Sequence, residues 1–434
     1  MTVVGGGLAG SSAAMEAAKR GVKVKLYEMR PNCMTPAHST GSLAELVCSN
    51  SLGSTDPLRA QGLLKEEIRM LDCELLKIAE ANAVPAGTAL TVDREKFSKQ
   101  VTNLLEKHLG VEIIREEVTK VPDGLSIMAS GPLTSEKLSA SISEFCGLQF
   151  LYFFDAIAPM VDKDSLNLEK LHKSSRYDAG DAGFLNAFLD KTQYLQLQSA
   201  LASAEEHPRH DFEKLCFFEG CLPVEEVARR GQDSLAYGTL RPTGFRDCEG
   251  KRPYAVVQLR PENIQGTMYN LVGFQTNLRN SEQERVFRMI PGLENAEFIR
   301  YGRMHRNTYI EAPQLIKPTL QFRNRTDLLV CGQLSGAEGY LSAIATGLVA
   351  GINASHILKH REPLRIPRET MLGSLLSYIS GDDQLESCDN RFTPTKPIFG
   401  ILPTLSTEPK GKKSKREAYV QRSLTTLKDF LSSI

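Results

Sequence analysis

Three glycines at positions 5, 7 and 10 constrain this chain more than any other feature it has. They follow a short apolar stretch, Thr2 to Val4, and open a run of small residues, Ser11 to Arg20, that reads as a helix closed by Gly21 in C-cap position. Val22 to Tyr27 then alternates as a strand does and ends on Glu28. A lone Gly-x-Gly-x-x-Gly says little. The same spacing between a strand and a helix, with a second strand and an acid behind it, marks a dinucleotide-binding βαβ unit. Gly5 allows the tight turn, Gly7 lets the backbone approach a pyrophosphate, and Gly10 lets helix and sheet pack closely. The turn through Gly5, Gly6, Gly7, Leu8, Ala9 and Gly10 would hold the phosphates on free N–H groups at the helix start. Glu28 would accept hydrogen bonds from ribose hydroxyls.

The remainder of the chain suits a two-domain flavoprotein. Its 434 residues exceed what one core usually supports. Residues 31–56 read as a long, partly irregular segment, and 62–81 as one helix by apolar spacing. Strands follow at 111–114 and 125–129. From about Phe150 the character changes to aromatic clusters, a charged helix near 191–206 and short strands near 254–259 and 268–274. The α/β pattern resumes at Asp327 to Cys331 and runs through Gly332, Gln333 and Gly336 into a small-residue helix, 343–354. A late strand, glycine and helix start is how such proteins return to a flavin, and it favours FAD over NAD at the first motif. The helix dipole would face the pyrimidine edge of the flavin, where negative charge develops on reduction. The expected fold is α/β: a Rossmann-type, glutathione-reductase-like FAD-binding domain from 1–150 and 301–434, with a smaller α/β domain inserted at 151–300.

Composition excludes several classes. Lys+Arg and Asp+Glu both number 52, so no net field draws the chain to nucleic acid, and any RNA contact must be a local patch. Arg300, Tyr301, Arg303, His305, Arg306 and Tyr309 interleave bases with aromatics. They suit an RNA clamp and a solvated face about equally, with Glu294 and Glu297 weakening the patch. The basic run 410–416 reads first as a solvated tail and second as a grip on phosphates. No basic leader precedes an apolar run, and no apolar stretch reads as a membrane span, so a cytoplasmic protein without membrane contact is expected. Nine scattered cysteines without a CxxC argue against disulfides and zinc, and the isolated His38 and His305 argue against any metal site. Cys48 and Cys221 lie in polar or Gly/Pro-flanked segments. That suits a nucleophile better than a helix core does, although each alone is more simply a bystander.

Longer strings narrow the field. Tyr27-Glu28-Met29-Arg30-Pro31, Glu45 to Leu52, Val84 to Gly87, Gly131 to Ser135, Phe218-Glu219-Gly220-Cys221, Pro253 to Arg260, Val286 to Glu297 and Met304 to Thr308 resemble the TrmFO family nearly end to end. The resemblance implies FAD reduced by NAD(P)H, methylenetetrahydrofolate as carbon donor, and methylation of a uridine C5 in the T-loop of tRNA. It casts Cys221 as the thiol that adds to uracil C6 and Cys48 as the thiol beside the flavin, an assignment open to reversal. It implies no obligate protein partner. The chain departs from the family pattern at Asn277 (usually His), Arg279-Asn280-Ser281, Leu341-Ser342-Ala343 and Pro394 to Gly400. A divergent member acting on ribosomal RNA and an MnmG-like flavin-dependent tRNA-modifying protein are the alternatives.

Overall fold

The structure, a computed structural model, describes residues 1–147, 151–174, 176, 183–207, 222–247, 249–382, 392–407 and 409–433; for 151–157 and 305–307 it describes the backbone alone. Five parallel strands form the first sheet, in the order Leu328–Val330, Ser126–Met128, Thr2–Val4, Val24–Tyr27 and Val111–Ile114. The N-terminal strand lies in the middle, where Val3 and Val4 are buried. Gly5 follows at φ +100, a left-handed conformation that an L side chain would strain.

Helix Leu8–Lys19 is buried from Leu8 through Ala18, which explains why its residues are small rather than amphipathic. It packs against helix Tyr340–Leu358. A Cβ at Gly347 would overlap the Ala9 carbonyl, and one at Gly351 the Ala13 carbonyl. Ser12 Oγ donates to the Ile344 carbonyl across this crossing at 2.9 Å. By length and composition helix Tyr340–Leu358 could cross a membrane, which corrects the expectation that no apolar stretch is long enough. Here 78% of that stretch is buried inside the protein, as a core helix.

A second sheet has six strands in the order Leu171–Lys173, Leu185–Leu189, Ala255–Pro261, Met268–Leu271, Met160–Asp162 and Phe298–Arg300, antiparallel throughout. Ala255, Val257 and Leu259 belong to a core shared with helices Lys191–Ser203 and Asn280–Phe287. Gln258 and Arg260 alternate to the opposite face. This core is distinct from the one built by residues on either side of it in sequence, Val3 to Ile142 and Ile310 to Leu427. The chain passes between the two bodies along paired antiparallel strands, Leu151–Ile157 and Arg303–Tyr309.

Two local readings need correction. The single helix expected over 62–81 is two, Ala60–Met70 and Glu74–Ala81, broken where Asp72 takes φ +60. The basic run 410–416 is no tail: it opens the 21-residue helix Lys412–Ser432, which buries Tyr419, Ser423 and Leu427 at four-residue spacing.

Candidate active site

A cavity of about 480 Å³ lies between the two bodies. Gly5, Gly7, Leu8, Ala9, Glu28, Cys48, Gly332 and Gln333 all line it, and Arg260, Asn270 and Gln275 reach it from the antiparallel sheet. Gly6, Gly10 and Gly336 stand behind the wall. A Cβ at Gly10 would overlap the Gly5 carbonyl, one at Gly6 would overlap Leu43, and Gly336 abuts the Phe392 ring. Gly332, at φ +72, faces the Ala9 methyl, so the early and late glycine elements meet.

The residues fit a dinucleotide. A Cβ built on Gly7 meets nothing within 4 Å, so the backbone there stands open to the cavity. Gly7 caps helix Leu8–Lys19 without any side-chain bond, which leaves the first amides to a ligand. Glu28 is more heavily engaged than expected. Its Oε2 accepts from the Gly6 amide and Arg30 Nη2, and its Oε1 from the Arg30 amide and Nε, all at 2.9–3.0 Å. Burial works against the charge of Glu28, but the hydrogen bonds and positive charge of Arg30 more than offset it and hold the carboxyl below its ordinary range. Arg30 also binds Glu45 Oε2 at 2.9 Å. Sequence reasoning missed Arg30, although its place two residues after the acid was visible.

Cys48 is fixed by a residue 292 positions away. The Tyr340 hydroxyl oxygen accepts from the Cys48 amide at 2.7 Å and the Ser49 amide at 3.3 Å, and the Cys48 thiol lies 3.0 Å from it. Tyr340 is the first residue of helix Tyr340–Leu358. Burial, and then the neighbouring Cys48, push its phenol well above the ordinary value, so it stays neutral. The backbone of the Cys48 loop is gripped from two directions. Arg94 donates to the Leu46 carbonyl, while Arg300 Nη1 and Nη2 donate to the Val47 and Cys48 carbonyls at 3.1 and 3.4 Å.

The Cys48 loop therefore sits in a buried cationic cluster. One carboxylate, Glu262, bears on Arg94, Arg260 and Arg300 together. Arg94 holds its Oε2 through Nε at 3.0 Å and Nη2 at 2.8 Å. Burial, followed by repulsion from Arg94, pulls Arg300 down to about 10. Arg300 thus departs from the clamp reading of 300–309, because its head turns inward to the Cys48 loop, while the side chains of His305 and Arg306 lie outside the described residues. Tyr309 is buried too, and Tyr301 stacks on Phe298 and bonds Glu284.

Cys221 lies outside the described residues. The chain on either side of it is anchored beside the cavity: the His207 amide donates to the Asn277 carbonyl at 2.9 Å and the Val224 amide to the Gln275 carbonyl at 2.7 Å. Of the departures from the family pattern, Leu341, Ser342, Ala343, Lys396 and Pro397 line the cavity. The Asn277 side chain instead reaches the His207 carbonyl at 3.3 Å. Cys33, Cys73, Cys146 and Cys331 are free thiols. Among the described residues no group of three or more His, Cys, Asp or Glu could hold a metal ion.

Residues 1–362 match the family model described as Glucose inhibited division protein A. The chain is also 49% identical, over 435 residues and 99% of the relative's length, to the methylenetetrahydrofolate–tRNA-(uracil-5-)-methyltransferase TrmFO of Bacillus subtilis (strain 168). The chain belongs to the TrmFO family. A TrmFO of Desulforamulus reducens is likewise 49% identical, with 99% of this chain and 97% of that one covered. Among solved structures, GidA of Aquifex aeolicus superposes with a TM-score of 0.70 at 17% identity, covering 99% of this chain and 73% of that one. The fold of this TrmFO-family chain is thus the FAD-binding flavoprotein fold of the Glucose inhibited division protein A family.

Proposed function

We infer that the chain methylates C5 of a uridine in tRNA, using methylenetetrahydrofolate as carbon donor, FAD as bound cofactor and NAD(P)H as reductant. The observation that carries this reading is one cavity shared by the glycine motif, the Cys48 thiol and the polar face of the antiparallel sheet. Bound there, FAD and methylenetetrahydrofolate supply the one-carbon unit and the reducing equivalents. Gly7 and the first turn of helix Leu8–Lys19 hold the pyrophosphate, and Glu28, with Gly332 and Gln333 opposite, orients the rest of the dinucleotide. Gly6, Gly10 and Gly336 shape that cradle from behind.

Uracil C5 is a poor nucleophile until a thiolate bonds to C6. The electron pair of the C5=C6 bond then becomes an enolate on the C4 oxygen, C5 bonds to the carbon, a base removes the C5 proton as the bond from that carbon to its nitrogen carrier breaks, and a hydride equivalent, which the reduced cofactor would supply, makes the methyl as the thiolate leaves C6. We assign the C6 addition to Cys221 and the place beside the flavin to Cys48, held by Tyr340. Residues 1–150 and 301–434 form the FAD-binding domain and 151–300 the inserted domain, a division supported by the two separate cores. The T-loop is the favoured target, in a cytoplasmic protein without an obligate protein partner. Ribosomal RNA is the competing substrate.

The test supplies FAD, NAD(P)H, labelled methylenetetrahydrofolate and separate pools of unmodified tRNA and ribosomal RNA, and maps 5-methyluridine by mass spectrometry. Label in tRNA that disappears with Cys221→Ala supports the reading. Label confined to ribosomal RNA moves the substrate, and no label in either pool sinks the methyltransferase assignment.

A further inference from the structure

Across the antiparallel sheet Arg260 pairs with Asn270, Asn270 with Met160, and Met160 with Arg300. Register partners project to one face, so these four side chains form a row on the side that meets the cavity and the Cys48 loop. Arg300 spends its Nη groups on that loop. Arg260 and Asn270 line the cavity and have no side-chain hydrogen bond among the described residues. The buried Arg260 Nε and Asn270 Nδ2 both lack an acceptor. Asn270 is 2% exposed. A buried donor left without an acceptor costs about 1–3 kcal/mol. Two of them, side by side on neighbouring strands and facing a cavity, are expected where a ligand completes the bonding.

The donor set narrows that ligand. Arg260 offers only donors, and among the described residues it makes no ion pair within 4 Å, although the Glu262 carboxylate held by Arg94 acts on its charge from a distance. Asn270 offers a donor and an acceptor in one plane. A simple anion would accept from both donors but leave Asn270 Oδ1 without a donor. A ring carbonyl with a neighbouring N–H satisfies both residues: the carbonyl accepts from the guanidinium and from Asn270 Nδ2, and the N–H donates to Oδ1. We propose that Arg260 and Asn270 bind the carbonyl–imide edge of a pyrimidinone ring in this cavity. That edge is shared by the uracil base, the pterin of the folate and the flavin, and with the flavin's own edge set at the Gly332–Gln333 element the uracil and the pterin are the two candidate rings. For uracil the guanidinium faces the C4 oxygen that turns negative when a thiolate adds at C6, so it holds the transition state more tightly than the ground state. The inference rests on the methyltransferase reading for its two candidate rings.

Asn270→Asp and Arg260→Gln test it, on flavin-loaded protein. Asn270→Asp places a carboxylate beside Arg260, which fills the guanidinium internally. Were the pair merely structural, this variant would be at least as active as the native protein. The proposal expects it to unfold at an equal or higher temperature, retain FAD and reduction by NAD(P)H, and lose the ligand. Tetrahydrofolate titration, followed through the flavin absorbance, and RNA methylation kinetics separate the sources. A Kd for tetrahydrofolate raised tenfold or more in both variants identifies the pterin. An unchanged Kd with kcat for methyl transfer down tenfold or more identifies the uracil. Both quantities within twofold of native in both variants overturn the proposal. A native protein that binds tetrahydrofolate yet labels no RNA defeats the methyltransferase reading, and the titration of the variants then decides the proposal alone.

Discussion

Tyr340 carries the heaviest duty of any single side chain here, because one oxygen receives two backbone amides and lies against the Cys48 thiol. Tyr340→Phe leaves those amides buried without an acceptor, at about 1–3 kcal/mol. Methyl transfer is expected to fall at least about tenfold, since 1.4 kcal/mol lost in the transition state is a factor of ten; kcat and the urea midpoint check the two effects. Glu67 gives a pH signature. It is fully buried and accepts from the Met371 and Leu372 amides, both at 2.7 Å, and from Ser423. Burial pushes its carboxyl up to about 7 from an ordinary 4.5. The folded protein therefore holds this proton more tightly than the unfolded chain does. The contribution to stability is full below about pH 4.5, falls as pH rises and is gone above about 7, a span worth roughly 3 kcal/mol. Glu67→Gln removes that titration, so its unfolding free energy relative to native should climb across the same window. A constant difference from pH 4.5 to 7 would contradict this. Cys48 was visible in the sequence by its neighbours. Arg94 and Tyr340 were not read as site residues, because partners 48 to 292 positions apart leave no periodic trace, whereas Arg30 stood two residues from Glu28 and was overlooked.

At the scale of elements, the crossing of helices Leu8–Lys19 and Tyr340–Leu358 holds the cradle together. Gly347→Ala would drive a methyl into the Ala9 carbonyl, and overpacking of this kind costs about 1–3 kcal/mol. Because Ala9 lines the cavity, FAD content per protein should fall along with the urea midpoint; retention of full flavin would show that the crossing can relax without moving the motif. Both helices were legible from their small residues, as was the strand between Gly21 and Glu28. The break at Asp72 was not, since a left-handed aspartate carries no signal as plain as a glycine. The helix over Lys412–Ser432 was obscured by its own basic opening, and only its later residues carry the buried four-residue repeat.

At the scale of the molecule, the two bodies are joined beside the Cys48 loop. Arg94 and Glu262 pair across the junction, and Asn50 Nδ2 bonds the Val92 and Pro261 carbonyls, both at 3.0 Å. Glu262→Gln leaves Arg94 buried with its charge unmet, a loss of about 3–5 kcal/mol. Calorimetry should show either a lower midpoint or one transition split into two, and an unchanged single transition would mean that the pair is not what joins the bodies. The change in character near Phe150 and the return near Asp327 were visible as shifts in composition. The junction was not, because it is assembled from residues that are unremarkable in their local sequence.

The bond from Ser12 to Ile344 spans 332 positions. At synthesis rates of about 5–20 residues per second, roughly 20–70 seconds separate the emergence of the two partners from the ribosome. Through that interval the glycine-motif helix lacks the surface it is built to meet. The nascent chain must therefore be shielded or remain uncommitted until its last hundred residues arrive, which makes premature termination in that stretch a route to aggregation rather than to a smaller flavoprotein.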